Sequence, residues 1–138
     1  MMTSATAPTA QATPASPFAR VGGHAALRRI TERFYDLMEQ EPAFAELRAM
    51  HAADLAPMRE SLPLFLAGWA GGPRDWFDAN PGKCMMSMHA PFPINRQTAG
   101  QWAKAMTRAI AETELADREI ADAMADVLAR MAHSMARG

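Results

Sequence analysis

One cysteine, Cys84, is all that this chain of 138 residues contains. A single thiol can form neither an internal disulfide nor a cysteine-based zinc or iron–sulfur site. It fits a reducing compartment and a cytoplasmic location. Runs of Val, Ile and Thr are missing, which removes the usual material of strands. No apolar stretch approaches membrane-spanning length, so no membrane partner is expected. Neither sign of charge dominates: fourteen Lys and Arg stand against fifteen Asp and Glu, a formal charge of −1. That balance offers no footprint for nucleic acid. Common catalytic machinery is also lacking. The four histidines, His24, His51, His89 and His133, make no metal-binding pair at helical spacing, and no HExxH occurs. No nucleophile elbow surrounds a serine, and no ExxH suggests a di-iron bundle. Gly22-Gly23 and Gly71-Gly72-Pro73 read as helix punctuation rather than a phosphate loop.

What is plentiful is helix-forming and apolar. The chain is 49% hydrophobic and holds twelve methionines. The expected class is all-α, with one core in one domain. Residues 1–18, rich in Ala, Thr, Pro and Ser, read as a disordered tail without the apolar centre of a secretory signal. That leaves 19–138 as the domain. Leu27, Ile30, Phe34, Leu37 and Met38 predict a helix over about 24–39, broken at Glu41-Pro42. A short helix over about 42–49 follows. Asp54 and Pro57 start the next, which carries Leu62, Phe65, Leu66 and Trp69 to the Gly-Gly-Pro stop, with Pro63 inside it. Asn95 or Thr98 caps a helix containing Trp102, Met106, Ala109 and Ile110. The last helix places Ile120, Met124, Val127, Leu128, Met131 and Met135 on one stripe.

The most informative segment is Met88-His89-Ala90-Pro91-Phe92-Pro93-Ile94. It sets one imidazole in an apolar stretch and blocks helix continuation behind it. Two readings stand from the residues alone. The ring is a buried histidine bonded to backbone, or it ligates a metal, for which a haem iron suits greasy surroundings. A haem ligand site also needs donors facing the bound gas. Tyr35, the one tyrosine, and Trp102 carry donors that want partners when buried, although each also reads as an ordinary core aromatic.

Taken in order, Phe34-Tyr35-Asp36-Leu37-Met38, Met50-His51, Phe65-Leu66-Ala67-Gly68-Trp69, Gly71-Gly72-Pro73, His89-Ala90-Pro91-Phe92-Pro93-Ile94 and Gln101-Trp102 resemble a group II truncated haemoglobin. The resemblance spans roughly residues 20–112. It implies a globin-like 2-on-2 helical sandwich holding haem b, with His89 as proximal iron ligand. It implies Tyr35 and Trp102 as distal donors, His51 at the distal cavity and Met58 at the distal gate. Leu62 and Leu66 would line the distal haem face. Phe65, Trp69 and Phe92 would pack around the porphyrin, with Met88 next to the proximal ring.

The implied function is binding of O2, CO or NO with slow O2 release. Redox chemistry on NO or peroxide, as an NO dioxygenase or weak peroxidase, would then draw on an unidentified reductase. Monomer and homodimer both stay open. Departures from the family pattern are Met86 and Met88 where arginines usually approach the haem propionates. Lys83, Arg59 and Arg74 are the candidate substitutes. The alternatives are a methionine-rich helical interaction domain without haem, or a haem-based sensor.

Overall fold

The computed structural model describes residues 16–83, 89 and 92–136. Its regular structure among those residues is all helical: α1 (Pro17–Val21), α2 (Gly23–Gln40), a 3-10 turn (Pro42–Phe44), α3 (Ala45–Ala49), α4 (Ala56–Trp69), α5 (Asp75–Ala79), α6 (Arg96–Glu112) and α7 (Arg118–Ser134).

Local chemistry accounts for the boundaries. α2 buries Ala26, Leu27, Ile30, Phe34, Leu37 and Met38 on one face, and ends where Glu41, preceding Pro42, adopts an extended backbone. Asn95 and Thr98 cap α6 together. The Asn95 side chain accepts from the Thr98 amide at 2.8 Å, and the Thr98 hydroxyl accepts from the Asn95 amide at 3.1 Å. Asp117 accepts from the Ile120 amide at 3.1 Å and opens α7. Asp54 accepts from the Ala56 amide at 3.0 Å at the start of α4, which runs on through the buried Pro63.

The long helices form two pairs. α2 packs across α4, α6 runs along α7, and α2 rests on α6 to join them. This is the globin-like 2-on-2 sandwich. α5 packs on the C-terminal end of α4, and α1 packs on α2 and α7. No helix among the described residues is long and apolar enough to cross a membrane.

Two expectations need correction. Helical order begins at Pro17, inside the segment read from composition as a tail over 1–18. Ser16 caps that first turn, and Phe18 is buried. The Phe18 ring lies where a Cβ on Gly72 would stand only 2.5 Å away, so the Gly-Gly-Pro stop also seats α1. Val127 leaves the last helix's apolar stripe and is 36% exposed. Ala121, Ala125 and Ala132 join Met124 and Leu128 on the buried face instead. α6, which packs along α7, buries Ala99, Ala103, Ala105 and Ala109 among its own apolar residues.

Candidate functional site

A cavity of about 390 Å³ opens between the turn after α3, the start of α4, α6 and the C-terminal half of α7. His51 and Met50 come from the turn, Met58 from α4, and Thr98 and Trp102 from α6. His89 and Phe92 close another part of the wall. The last helix adds Leu128, Met131, Ala132 and Met135. The lining is overwhelmingly apolar, which makes its few polar atoms informative.

His51 is oriented by its own helix. Its Nδ1 lies 2.9 Å from the Leu47 carbonyl, which can only accept, so Nδ1 carries the proton and Nε2 is left with a lone pair. Burial holds this imidazole below its ordinary pKa. The bond to Leu47 works against that shift, while the nearby charge of Arg48 adds to it. The ring is therefore neutral at pH 7. Gln101 fixes the whole turn against α6: its Oε1 accepts from the Leu47 amide at 3.0 Å, and its Nε2 donates to Glu46 at 2.8 Å. The residue before Trp102 thus sets how far His51 stands from Trp102.

Tyr35 is buried, with its ring edge-on to His51 at 6.2 Å between centroids and to Phe34 at 4.9 Å. Its hydroxyl makes no hydrogen bond to any described residue. A bond from His51 to that hydroxyl would be natural, but the His51 Nδ1 proton is committed to Leu47. Burial raises the phenol well above its usual range, and the nearby Arg59 cation only partly opposes this, so Tyr35 stays a neutral donor. Trp102 is half-buried and stands edge-on to Phe34 at 5.3 Å. The half-buried ring of His89 lies 6.4 Å from that of Phe92.

The family model described as bacterial-like globin matches residues 16–137. This chain belongs to the bacterial-like globin family. The globin is similar in structure to a cold-adapted truncated haemoglobin from the Antarctic marine bacterium Pseudoalteromonas haloplanktis. That pair shares 25% identity over 89% of this chain and 98% of the other, with a TM-score of 0.83. It is similar to a group II 2-on-2 haemoglobin from Agrobacterium tumefaciens, at 28% identity over 88% of this chain and 94% of the other, TM-score 0.82. It is also similar to a haemoglobin from the thermophilic phototroph Chloroflexus aurantiacus, at 29% identity over 89% and 98% of the two chains, TM-score 0.79. It is accordingly a haem-binding globin of a family that binds diatomic gases, and the group II resemblance holds at the level of fold. The cavity fits that cofactor: an apolar wall, two imidazoles on it, His51 and His89, and behind it a buried phenol that no described residue bonds.

The globin gathers His51, Met58, His89, Phe92 and Trp102 on this one wall. Leu62, Phe65, Leu66 and Trp69 stand elsewhere. Leu62 and Trp69 are partly buried against the core, and Leu66 is fully buried. Phe65 sits in an aromatic cluster with Trp76 at 5.2 Å and Phe77 at 5.4 Å. Helical rise explains the separation: seven residues past Met58, Phe65 is about 10 Å further along α4. That end of the helix packs on α5, and a Cβ on Gly68 would strike the Phe77 ring at 2.6 Å.

Met88, with Met86 and Cys84, lies outside the described residues. Of the candidate propionate partners, Arg59 is committed elsewhere. It pairs with Glu32, with Asp36 at 3.1 Å and with Glu39 at 3.3 Å, and lies 5.8 Å from the centre of the Tyr35 ring. Arg74 stacks on Phe77 at 4.6 Å, and Lys83 is exposed. Sequence reasoning missed the part of the last helix. Leu128, Met131 and Met135 read as part of an ordinary core stripe, Ala132 was not on it, and only the fold shows that they line a cavity.

Proposed function

We propose that this globin holds haem b through His89 and binds O2, CO or NO on the side bearing His51, Trp102 and Tyr35. One observation carries the reading: the His89 imidazole lies on the wall of an apolar cavity that also presents His51 and Trp102. Haem there would supply an iron atom able to take a diatomic guest.

The chain's own residues would do the rest. His89 would hold the iron through a neutral ring nitrogen. The Trp102 indole N–H and the Tyr35 hydroxyl are donors that no described residue uses, so either can turn to a guest in the cavity. The His51 Nε2 lone pair can accept a proton or a hydrogen bond, and its edge contact keeps the Tyr35 ring in place. Met58, 38% exposed at the rim, would narrow ligand access. The apolar wall limits water around the guest. Two donors on one guest favour slow release, which suits redox conversion of NO or peroxide, with electrons from a separate reductase, better than oxygen delivery.

The deciding experiment is the absorption spectrum of the haem-loaded chain, ferric and ferrous, with and without CO. The expected result is a haem spectrum with an imidazole axial ligand, lost or strongly changed in His89→Ala. An unchanged spectrum in that variant would refute the proximal assignment. A chain that takes up no haemin would refute the whole reading.

A further inference from the structure

The seven described methionines divide cleanly by place. Met38, Met106 and Met124 are closed inside the core, at 5% exposure or less. The other four, Met50, Met58, Met131 and Met135, all line the cavity described above. They come from three separate parts of the fold, and none is fully buried. Thioethers are soft, polarisable groups that pack well on a flat aromatic surface. They are also oxidised to sulfoxides by a two-electron oxidant that reaches them.

We infer that these four methionines form a peroxide-sensitive shell whose oxidation loosens the hold of this cavity on haem. The inference rests on haem occupying the cavity. The chemistry needs only hydrogen peroxide. The thioether sulfur attacks one peroxide oxygen, the O–O bond breaks and an S–O bond forms. Sulfur is oxidised by two electrons, and the other oxygen leaves as water with both peroxide protons. The product is a sulfoxide, polar where the thioether was apolar.

A sulfoxide oxygen in this wall has few donors to meet. The Thr98 hydroxyl is already within the Asn95 cap, bonded to the Asn95 carbonyl and side chain. The Trp102 N–H is a donor on the same wall that no described residue uses, so a sulfoxide would compete for the group assigned to the gaseous guest. A polar oxygen without a partner is driven toward water. The wall would then favour hydration over contact with the porphyrin.

The test treats the full haem-loaded chain with graded hydrogen peroxide, maps sulfoxides by peptide mass spectrometry, and follows transfer of intact haemin to an excess of a haem-free acceptor globin. Sulfoxide should appear at Met50, Met58, Met131 and Met135 well before Met38, Met106 and Met124. Haemin transfer should speed up about tenfold or more. Methionine sulfoxide reductases should restore the slow transfer without any change of sequence. The combined variant Met50→Leu, Met58→Leu, Met131→Leu and Met135→Leu should transfer haemin slowly with or without peroxide. Should it fail to fold, reductase reversal in the parent chain decides alone.

Sulfoxide at the four sites with unchanged transfer would overturn the inference, as would equal acceleration in parent and variant, or acceleration that the reductases do not reverse. Failure of the untreated chain to load haemin would instead overturn the haem reading, and this inference with it.

Discussion

At the scale of single residues, the cavity works through what each polar atom has already given away. His51 donates to Leu47, so it can only accept from the cavity side. Its imidazole is held below the ordinary value of about 6.5. Between that lowered pKa and 6.5 the unfolded chain binds more protons than the folded one, so stability falls as pH drops through this window. His51→Phe removes the group. The stability of the parent relative to His51→Phe in urea should therefore decline from about pH 7 to about pH 5, and a flat difference would show that the ring is not desolvated. Tyr35 and Trp102 are the opposite case, donors that no described residue uses. Tyr35→Phe and Trp102→Phe should each speed O2 dissociation about tenfold or more, read by stopped flow. Rates equal to the parent would mean that these donors do not reach the guest. Tyr35 and Trp102 were legible in the sequence as donors that want partners when buried, while His51 entered through the family resemblance. Their commitments were not legible. Whether His51 points its proton at Tyr35 or at its own helix depends on a backbone carbonyl four residues earlier.

Among the elements, α2 and α4 are tied by two guanidiniums, Arg28 through Glu60 and, with more partners, Arg59. Arg59, on α4, is bonded to Glu32, Asp36 and Glu39, which lie on α2 at helical spacing. Its side chain is only 20% exposed, and it also lies against Tyr35. Arg59→Met keeps the apolar stem and removes the charge. It should cost about 1–2 kcal/mol in urea unfolding, more than an exposed pair because several bonds share one half-buried head group. Acid should reveal the same clamp. Burial alone would raise the Glu32 carboxyl, but its bonds to Arg28 and Arg59 outweigh this and hold it below its ordinary 4.5. A depressed carboxyl contributes stability above its unfolded pKa and loses it as pH falls through the folded one. Arg59→Met should therefore flatten stability in that acid range, and an unchanged acid profile would place the stabilisation elsewhere. A second joint is steric. Gly72→Ala must push a Cβ into the Phe18 ring and should cost about 1–3 kcal/mol through displacement of α1. Helix extents were readable from apolar stripes, caps and proline breaks, because those signals are local. The joints were not. Phe18 sits in an Ala-, Pro- and Thr-rich stretch that reads as tail, and its partner is a glycine more than fifty residues away.

For the molecule as a whole, the cavity is where separate elements meet. Every long helix except α2 lends residues to the cavity wall, and α2 stands behind it through Phe34 and Tyr35. A cavity of about 390 Å³ among packed helices leaves those side chains without contacts on one face. A cofactor filling it would add contacts to side chains from α4, α6 and α7 at once. The sequence signals point to this arrangement only in part, since His89 and Trp102 mark the site while the wall from α7 looks like any core stripe. Linkage makes the consequence quantitative. A ligand that binds only the folded chain adds about 1.4 kcal/mol for each tenfold excess over its dissociation constant. For a domain of this size, each kcal/mol raises the thermal midpoint by roughly 3–6 °C. Haemin titrated into the full chain should therefore raise the midpoint continuously with free haemin, by well over ten degrees at about a thousandfold excess. His89→Ala should keep the haem-free midpoint close to that of the parent, because the ring is only half-buried, and should lose most of the haemin-dependent rise. A midpoint that ignores haemin in the parent would mean that nothing bridges the helices across this cavity. A rise of equal size in His89→Ala would mean that the bridge does not pass through that imidazole.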